Sequence, residues 1–228
     1  MNLAIIIARG GSKRIPKKNI RKFCGKPIIS WSIKAAQKSN CFDKIIVSTD
    51  DKEIADISQK NGAEIPFIRP TTLADDFSLT QDVIKHAIKW YEKNNFKLKL
   101  VCCIYACSPL IRYEDIQKAM KMLSKSKNNT FIFPATSYQY PIQRSLRLNQ
   151  AGYAEMLDPE KFSSRSQDLE EAFHDAGQFY LASKNAWEKV ENIFSDSRPI
   201  LIPRWRVEDI DTEEDIINAE LKAKILGL

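Results

Sequence analysis

Five cationic side chains, Arg9, Lys13, Arg14, Lys17 and Lys18, fall within the ten residues that follow the apolar run Ala4-Ile5-Ile6-Ile7-Ala8. Gly10 and Gly11 among them free the backbone to turn sharply and bring its N–H groups close to a ligand, and Pro16 stiffens the lysine-bearing part. Such a loop suits a polyphosphate. The candidate phosphate contacts are Arg9 and Lys18, and Ala8, Gly10, Gly11, Ser12 and Lys13 complete the nucleotide cradle. The loop is neither a G-x-G-x-x-G turn nor a Walker A motif. Near the other end of the chain, Asp209 and Asp211 are one residue apart. In extended backbone this puts both carboxylates on one face, about 6 to 7 Å apart. A Mg²⁺ ion that also holds phosphate oxygens suits such a pair, because it keeps waters and seldom takes an all-protein cage. Asp211 with Glu214 also reads as a capping box for the last helix, whereas Asp209 has no competing role.

The elements that position these groups follow from periodicity. The first apolar run does not alternate, as expected of a strand buried on both faces of a parallel sheet. A helix is expected over 27–39 and a strand over 44–49. Asp50 and Glu53 form a capping box for a helix over 51–61, which Gly62 ends. A short strand over 64–69 leads into a polar, acidic connection over 70–78, with Ser78 and Gln81 set to cap a helix over 79–95. Strands over 100–105 and 130–135 flank a helix over 114–124. Residues 138–173 break the rhythm with short strand pieces at 145–148 and 153–157. A strand over 177–183, a helix over 186–192, a last strand over 199–202 and a helix over 212–226 close the chain. The alternation predicts one α/β domain across 228 residues.

Composition narrows the function classes. No apolar stretch approaches the roughly 20 residues that span a bilayer, and no basic segment precedes a signal-like run, so a cytoplasmic chain without a membrane partner is expected. The five cysteines include the neighbours Cys102 and Cys103, which point to opposite faces of a strand and make no disulfide framework. A net charge of +6 invites a nucleic-acid reading. The basic residues are partly concentrated in the first loop and otherwise scattered, as at Lys118, Lys121, Lys125 and Lys127, with no aromatic-interleaved basic stripe. No nucleic-acid partner is expected.

The run IIIARGGSKRIPKKNIRKFCGKPIISWSI resembles the opening of the bacterial acylneuraminate cytidylyltransferases, which activate nine-carbon sugar acids as CMP conjugates. KIIVSTDDKEIA, FIRPTTLADD, CSPLIR and DIDTEED follow in that family's order, so the resemblance spans essentially the whole chain. It implies a three-layer, Rossmann-like nucleotidyltransferase fold, α/β with a mostly parallel sheet, and an inserted dimerisation or lid segment over 138–173. It also implies CTP and a nine-carbon sugar acid as substrates, Mg²⁺ as cofactor and a homodimer. Lys18 would meet the α-phosphate, and Asn19, Arg69, Ser78 and Thr80 would lie near cytosine and ribose. For the sugar acid, Arg165 and Arg144 offer planar donors to a carboxylate, and Gln143 and Gln178 offer amide groups. Ion pairing of either arginine with Glu155, Asp168 or Glu170 is the competing account. His174, a lone histidine, reads as structural rather than as a base. YPIQR, SRSQDLEEAFHDAGQFY and PRWRVEDIDTEED favour the branch that uses pseudaminic acid. Sialic, legionaminic or Kdo acid in the same chemistry, or a non-catalytic nucleotide or nucleic-acid binder, are the alternatives.

Overall fold

The computed structural model describes all 228 residues. Its central sheet contains β1 (Asn2–Ile7), β4 (Lys44–Ser48), β5 (Leu100–Tyr105), β6 (Ile132–Ser137), β9 (Phe173–Asp175), β10 (Phe179–Ser183) and β11 (Arg198–Leu201). The order is β11-β6-β10-β5-β1-β4, and β9 pairs with β6. The pairs of β1 with β4 and β5 and of β11 with β6 are parallel, while β9 and β10 run antiparallel to their neighbours.

The unalternating β1 run behaves as a strand covered on both faces. Ala4 and Ile6 pack into the core beneath α1 (Ile28–Ser39), α2 (Lys52–Lys60) and α4 (Tyr113–Leu123). Leu3 and Ile5 pack beneath α3 (Thr80–Lys93) and α5 (Lys184–Lys189). Cys102 and Cys103 divide between the same two cores, and all five cysteines are free. The result is the expected three-layer α/β architecture. A third apolar cluster seats α6 (Glu213–Ile225) against Ile15, Phe23, Ile28 and Leu110.

Several expected boundaries differ for local reasons. The strand expected over 64–69 reduces to one bridge, Ile46 with Glu64. Parallel pairing would next need an N–H at residue 66, and Pro66 has none. A two-residue hairpin, β2 (Lys22–Phe23) with β3 (Lys26–Pro27), was not expected. Cys24 and Gly25, at φ 45° and 80°, give it the left-handed pair that tight hairpins require. Ser78 does not cap α3: Leu79 holds that position without a side-chain bond, and Gln81 instead reaches the carbonyls of Val190 and Glu191.

Residues 138–173 form an arm built on an antiparallel hairpin of β7 (Leu146–Leu148) and β8 (Ala154–Met156). Tyr140, Leu148, Tyr153 and Phe162 are each at least 72% exposed, so the chain leaves this apolar surface uncovered. No helix is long and apolar enough to cross a membrane.

Candidate active site

A cleft of about 1010 Å³ opens beyond the carboxyl ends of β1 and β5, bounded by Ile7 and Tyr105. This is where open α/β sheets place their ligands. Four segments wall it: the basic loop after β1, the turn before α3, the turn between β9 and β10, and residues 207–211.

The basic loop is held from behind, which leaves its cations on the cleft. Ile15 is fully buried, the Asn19 amide donates to the Arg9 carbonyl at 2.8 Å, and the Gly10 N–H donates to Asp50 Oδ1 at 3.0 Å. Arg9, Ser12, Lys13, Arg14 and Lys18 line the cleft. Lys17, at φ 53°, turns out to Glu53 of α2. Neither Gly10 nor Gly11 has a positive φ, so neither position needs the left-handed freedom of a glycine. A Cβ on Gly10 would lie 2.9 Å from Cβ of Asp51, so that glycine permits close approach to α2, while a Cβ on Gly11 meets nothing within 4 Å. Ala8, Gly10 and Gly11 do not line the cleft. Gly10→Ala should therefore lower the melting temperature and weaken nucleotide binding, and Gly11→Ala should leave melting unchanged. Equal melting temperatures for the two variants would contradict this account.

Both acids expected to cap helices are free of that duty. Asp51, not Asp50, accepts the α2 cap bond from the Ile54 N–H at 2.9 Å. Thr212 with Asp215, not Asp211 with Glu214, forms the capping box of α6. Asp50 thus braces the loop, and Asp211 faces the cleft, 2.8 Å from Arg14 and 3.2 Å from Lys18. Asp209 lines the same wall, and no group of the chain hydrogen-bonds its solvent-exposed carboxylate. Burial, and then the charge of Asp211, raise its pKa above the usual carboxylate value. An open carboxylate without a hydrogen-bond partner, beside a second carboxylate on the cleft wall, is a donor set that fits a hard divalent cation. The chain brings no third His, Cys, Asp or Glu to the pair, so such an ion would take its remaining oxygens from phosphate and water.

Across the cleft, Asp76 accepts from Lys13 and lies 2.6 Å from Arg9. Ser78 Oγ donates to Asp75 at 2.7 Å, and Thr80 Oγ1 lies 3.1 Å from the Tyr105 hydroxyl. Arg69 borders the cleft, but its guanidinium is buried and bonded to Ser48 Oγ and to the Ser48 and Leu73 carbonyls. Burial pulls its pKa down to about 10, which leaves it charged at neutral pH. Asn19 is committed too, since its Oδ1 accepts from the Cys107 thiol at 3.0 Å.

The family model described as cytidylyltransferase matches residues 3–194. The chain belongs to the cytidylyltransferase family. It is 42% identical over 225 residues to a pseudaminic acid cytidylyltransferase of Campylobacter jejuni, covering 98% of this chain and 97% of that one. It is 32% identical to a CMP-N,N'-diacetyllegionaminic acid synthase of Legionella pneumophila, covering 93% and 92%. In fold it is similar to a CMP:2-keto-3-deoxy-manno-octonic acid synthetase solved with CTP, at TM-score 0.69 and 15% identity over 99% and 98% of the two chains.

In this cytidylyltransferase the four residues expected at the sugar do not gather in the chain's own cleft. Gln143 donates to the Glu170 carbonyl at 3.0 Å, and Arg144 donates to the Ser164 carbonyl, both within the arm. Arg165 makes a two-pronged pair with Asp168 at 2.7 and 3.0 Å, the competing account given above. Gln178 is buried and donates to the Arg206 carbonyl at 2.9 Å. The cleft is bounded on that side by His174, Asp175 and Tyr180. Asp175 accepts from the Tyr180 hydroxyl and from the Gly177 N–H at 3.0 Å. His174 holds the Asp175 carbonyl through Nδ1 at 2.9 Å and packs against Tyr138 with the rings tilted by 59°, an anchoring role. Sequence reasoning missed Asp50, Tyr105, Asp175 and Tyr180. The signal for Asp50 was the acid doublet, in which one member caps and the other is left over.

Proposed function

We propose that the chain transfers CMP from CTP to the anomeric hydroxyl of a nine-carbon sugar acid, pseudaminic acid in preference, and releases pyrophosphate. The observation that carries this is 42% identity to a pseudaminic acid cytidylyltransferase over nearly the full length of both chains. The anomeric oxygen attacks the α-phosphorus in line with the leaving pyrophosphate, and both negative charges are borne by groups already in place. Arg9 and Lys13 receive the β- and γ-phosphates. They are paired with Asp76 beforehand, so phosphate replaces one anion by another and the cations are not left unpaired at either stage. Lys18 meets the α-phosphate, and Asn19, Arg69, Ser78 and Thr80 bound the nucleoside. Asp209 and Asp211 would hold Mg²⁺. Bound there, the ion would neutralise developing phosphate charge and acidify the attacking hydroxyl.

The uncovered apolar arm supports a homodimer, in which Gln143, Arg144 and Arg165 serve the partner's cleft. A cytoplasmic location accords with a CTP-using reaction. The Legionella relative supports a second reading, the same transfer to legionaminic acid. Sialic acid and Kdo remain comparison substrates. A non-catalytic nucleotide or nucleic-acid binder has no use for the Asp209 and Asp211 pair, and it would show salt-dependent shifting of generic DNA.

A coupled pyrophosphate assay tests the reading, with release required to depend on CTP and sugar acid together. In that assay Lys18→Ala should lose about tenfold to 100-fold, because the variant removes a phosphate charge and the 2.7 Å bond to the Ile210 carbonyl. Lys34→Ala, on α1, should leave the rate near that of the parent enzyme. Equal rates for the two variants would make the loop an ordinary charged surface.

A further inference from the structure

The segment that carries Asp209 and Asp211 lies between Val207 and Thr212, both in extended backbone, yet it belongs to no sheet. A strand in this position would be aligned by ladder bonds. Here side chains from the β9–β10 turn, from α6 and from the basic loop do that work. Gln178 donates to the Arg206 carbonyl at 2.9 Å, Lys222 to the Val207 carbonyl at 2.7 Å and Lys18 to the Ile210 carbonyl at 2.7 Å. The Asp211 N–H donates to Asp215 at 2.9 Å. The entry point is fixed most firmly. Arg206 is 8% exposed and its guanidinium donates to Asp115 in the first turn of α4, itself 8% exposed. Gln178 is 3% exposed, and its own carbonyl accepts from the Tyr105 N–H at 3.0 Å on the cleft floor.

A buried ion pair is weak support for stability, because well-packed apolar residues of similar volume serve the fold as well or better. What the pair supplies is direction. It fixes the backbone at residue 206, three residues before Asp209, in a stretch with no strand partner to do so. We propose that Gln178 and the Arg206–Asp115 pair are positioning residues that set the separation and aim of the Asp209 and Asp211 carboxylates. This rests on reading those carboxylates as a divalent-cation site. The assignment moves Gln178 from the sugar, where the sequence placed it, to the support of the acid pair.

Two variants test it: Gln178→Met, and the double variant Asp115→Leu/Arg206→Met, which replaces the ion pair with apolar residues. Asp209→Ala is the reference. Each is measured for thermal melting, for CTP binding without metal, for Mn²⁺ binding with CTP present by paramagnetic resonance, and for turnover against Mg²⁺ concentration. The double variant should melt close to the parent and bind CTP alone equally well. Its Mn²⁺ affinity and turnover should fall about tenfold to 100-fold, the range for losing an outer support of a metal ligand. Gln178→Met should fall in the same direction, and it decides by the same readings if the double variant does not fold. Parental Mn²⁺ affinity in both variants, with Asp209→Ala weakened, would overturn the positioning role and leave the metal site standing. Parental Mn²⁺ affinity in Asp209→Ala would remove the metal site and the positioning role together.

Discussion

Supplied with CTP and Mg²⁺, the enzyme is expected to use pseudaminic acid with a kcat/KM about 10⁴ times that for sialic acid. The two sugar acids differ in ring stereochemistry and in the acylamino and methyl groups that replace hydroxyls, so the nucleotide half of the cleft cannot tell them apart. Discrimination falls to residues 138–178. Tyr140 and Phe173 are exposed and offer apolar surface, whereas Phe179 is fully buried under α4. Asp175, held by Tyr180 and Gly177, presents a carboxylate that can accept from N–H or O–H groups placed for one sugar and not the other. A buried polar group left unpaired by the wrong sugar accounts for a ratio of this size. Arg165→Ala and Gln143→Ala should weaken sugar use at near-normal CTP binding, and the parent should sediment as a dimer if the arm serves a partner. Equal or better efficiency with sialic acid would show that the branch is wrong while leaving cytidylyl transfer intact.

Asp209→Ala should lower turnover at least ~100-fold at limiting Mg²⁺, in the range for removing a charge-stabilising element from a transition state. The variant should melt like the parent, because Asp209 makes no hydrogen bond within the chain. Asp211→Ala should match it in turnover. Its melting temperature should also change little, since the α6 cap belongs to Thr212 and Asp215 and the Arg14 and Lys18 pairs are partly exposed. Parental turnover in a folded Asp209→Ala enzyme would sink the metal assignment.

Much of this was legible in the sequence where one force dominates. Unalternating β1 and β5 could only be strands covered on both faces, and a basic loop after β1 could only open at the carboxyl edge of the sheet. Legibility failed where two neighbours compete for one role. At Asp50-Asp51 and at Asp211-Thr212 either residue can cap, and the start of the helix decides, so the acid left over became visible only in three dimensions. The strand over 64–69 failed on Pro66, whose missing N–H matters only once its neighbour is known to be β4. Gln178 shows the limit most clearly. Sequence placed it among sugar-side motifs, but the facing of one side chain beside a strand end depends on what is packed beneath it, here Arg206.

The most direct test supplies the purified enzyme with CTP, Mg²⁺ and, in turn, pseudaminic, legionaminic, sialic and Kdo acids, and reads the products by mass. The predicted result is a conjugate at the combined mass of CMP and pseudaminic acid, less water, formed one for one with pyrophosphate and absent when either substrate is omitted. No conjugate with any of the four acids, or CTP breakdown that proceeds without them, would contradict the proposed transfer.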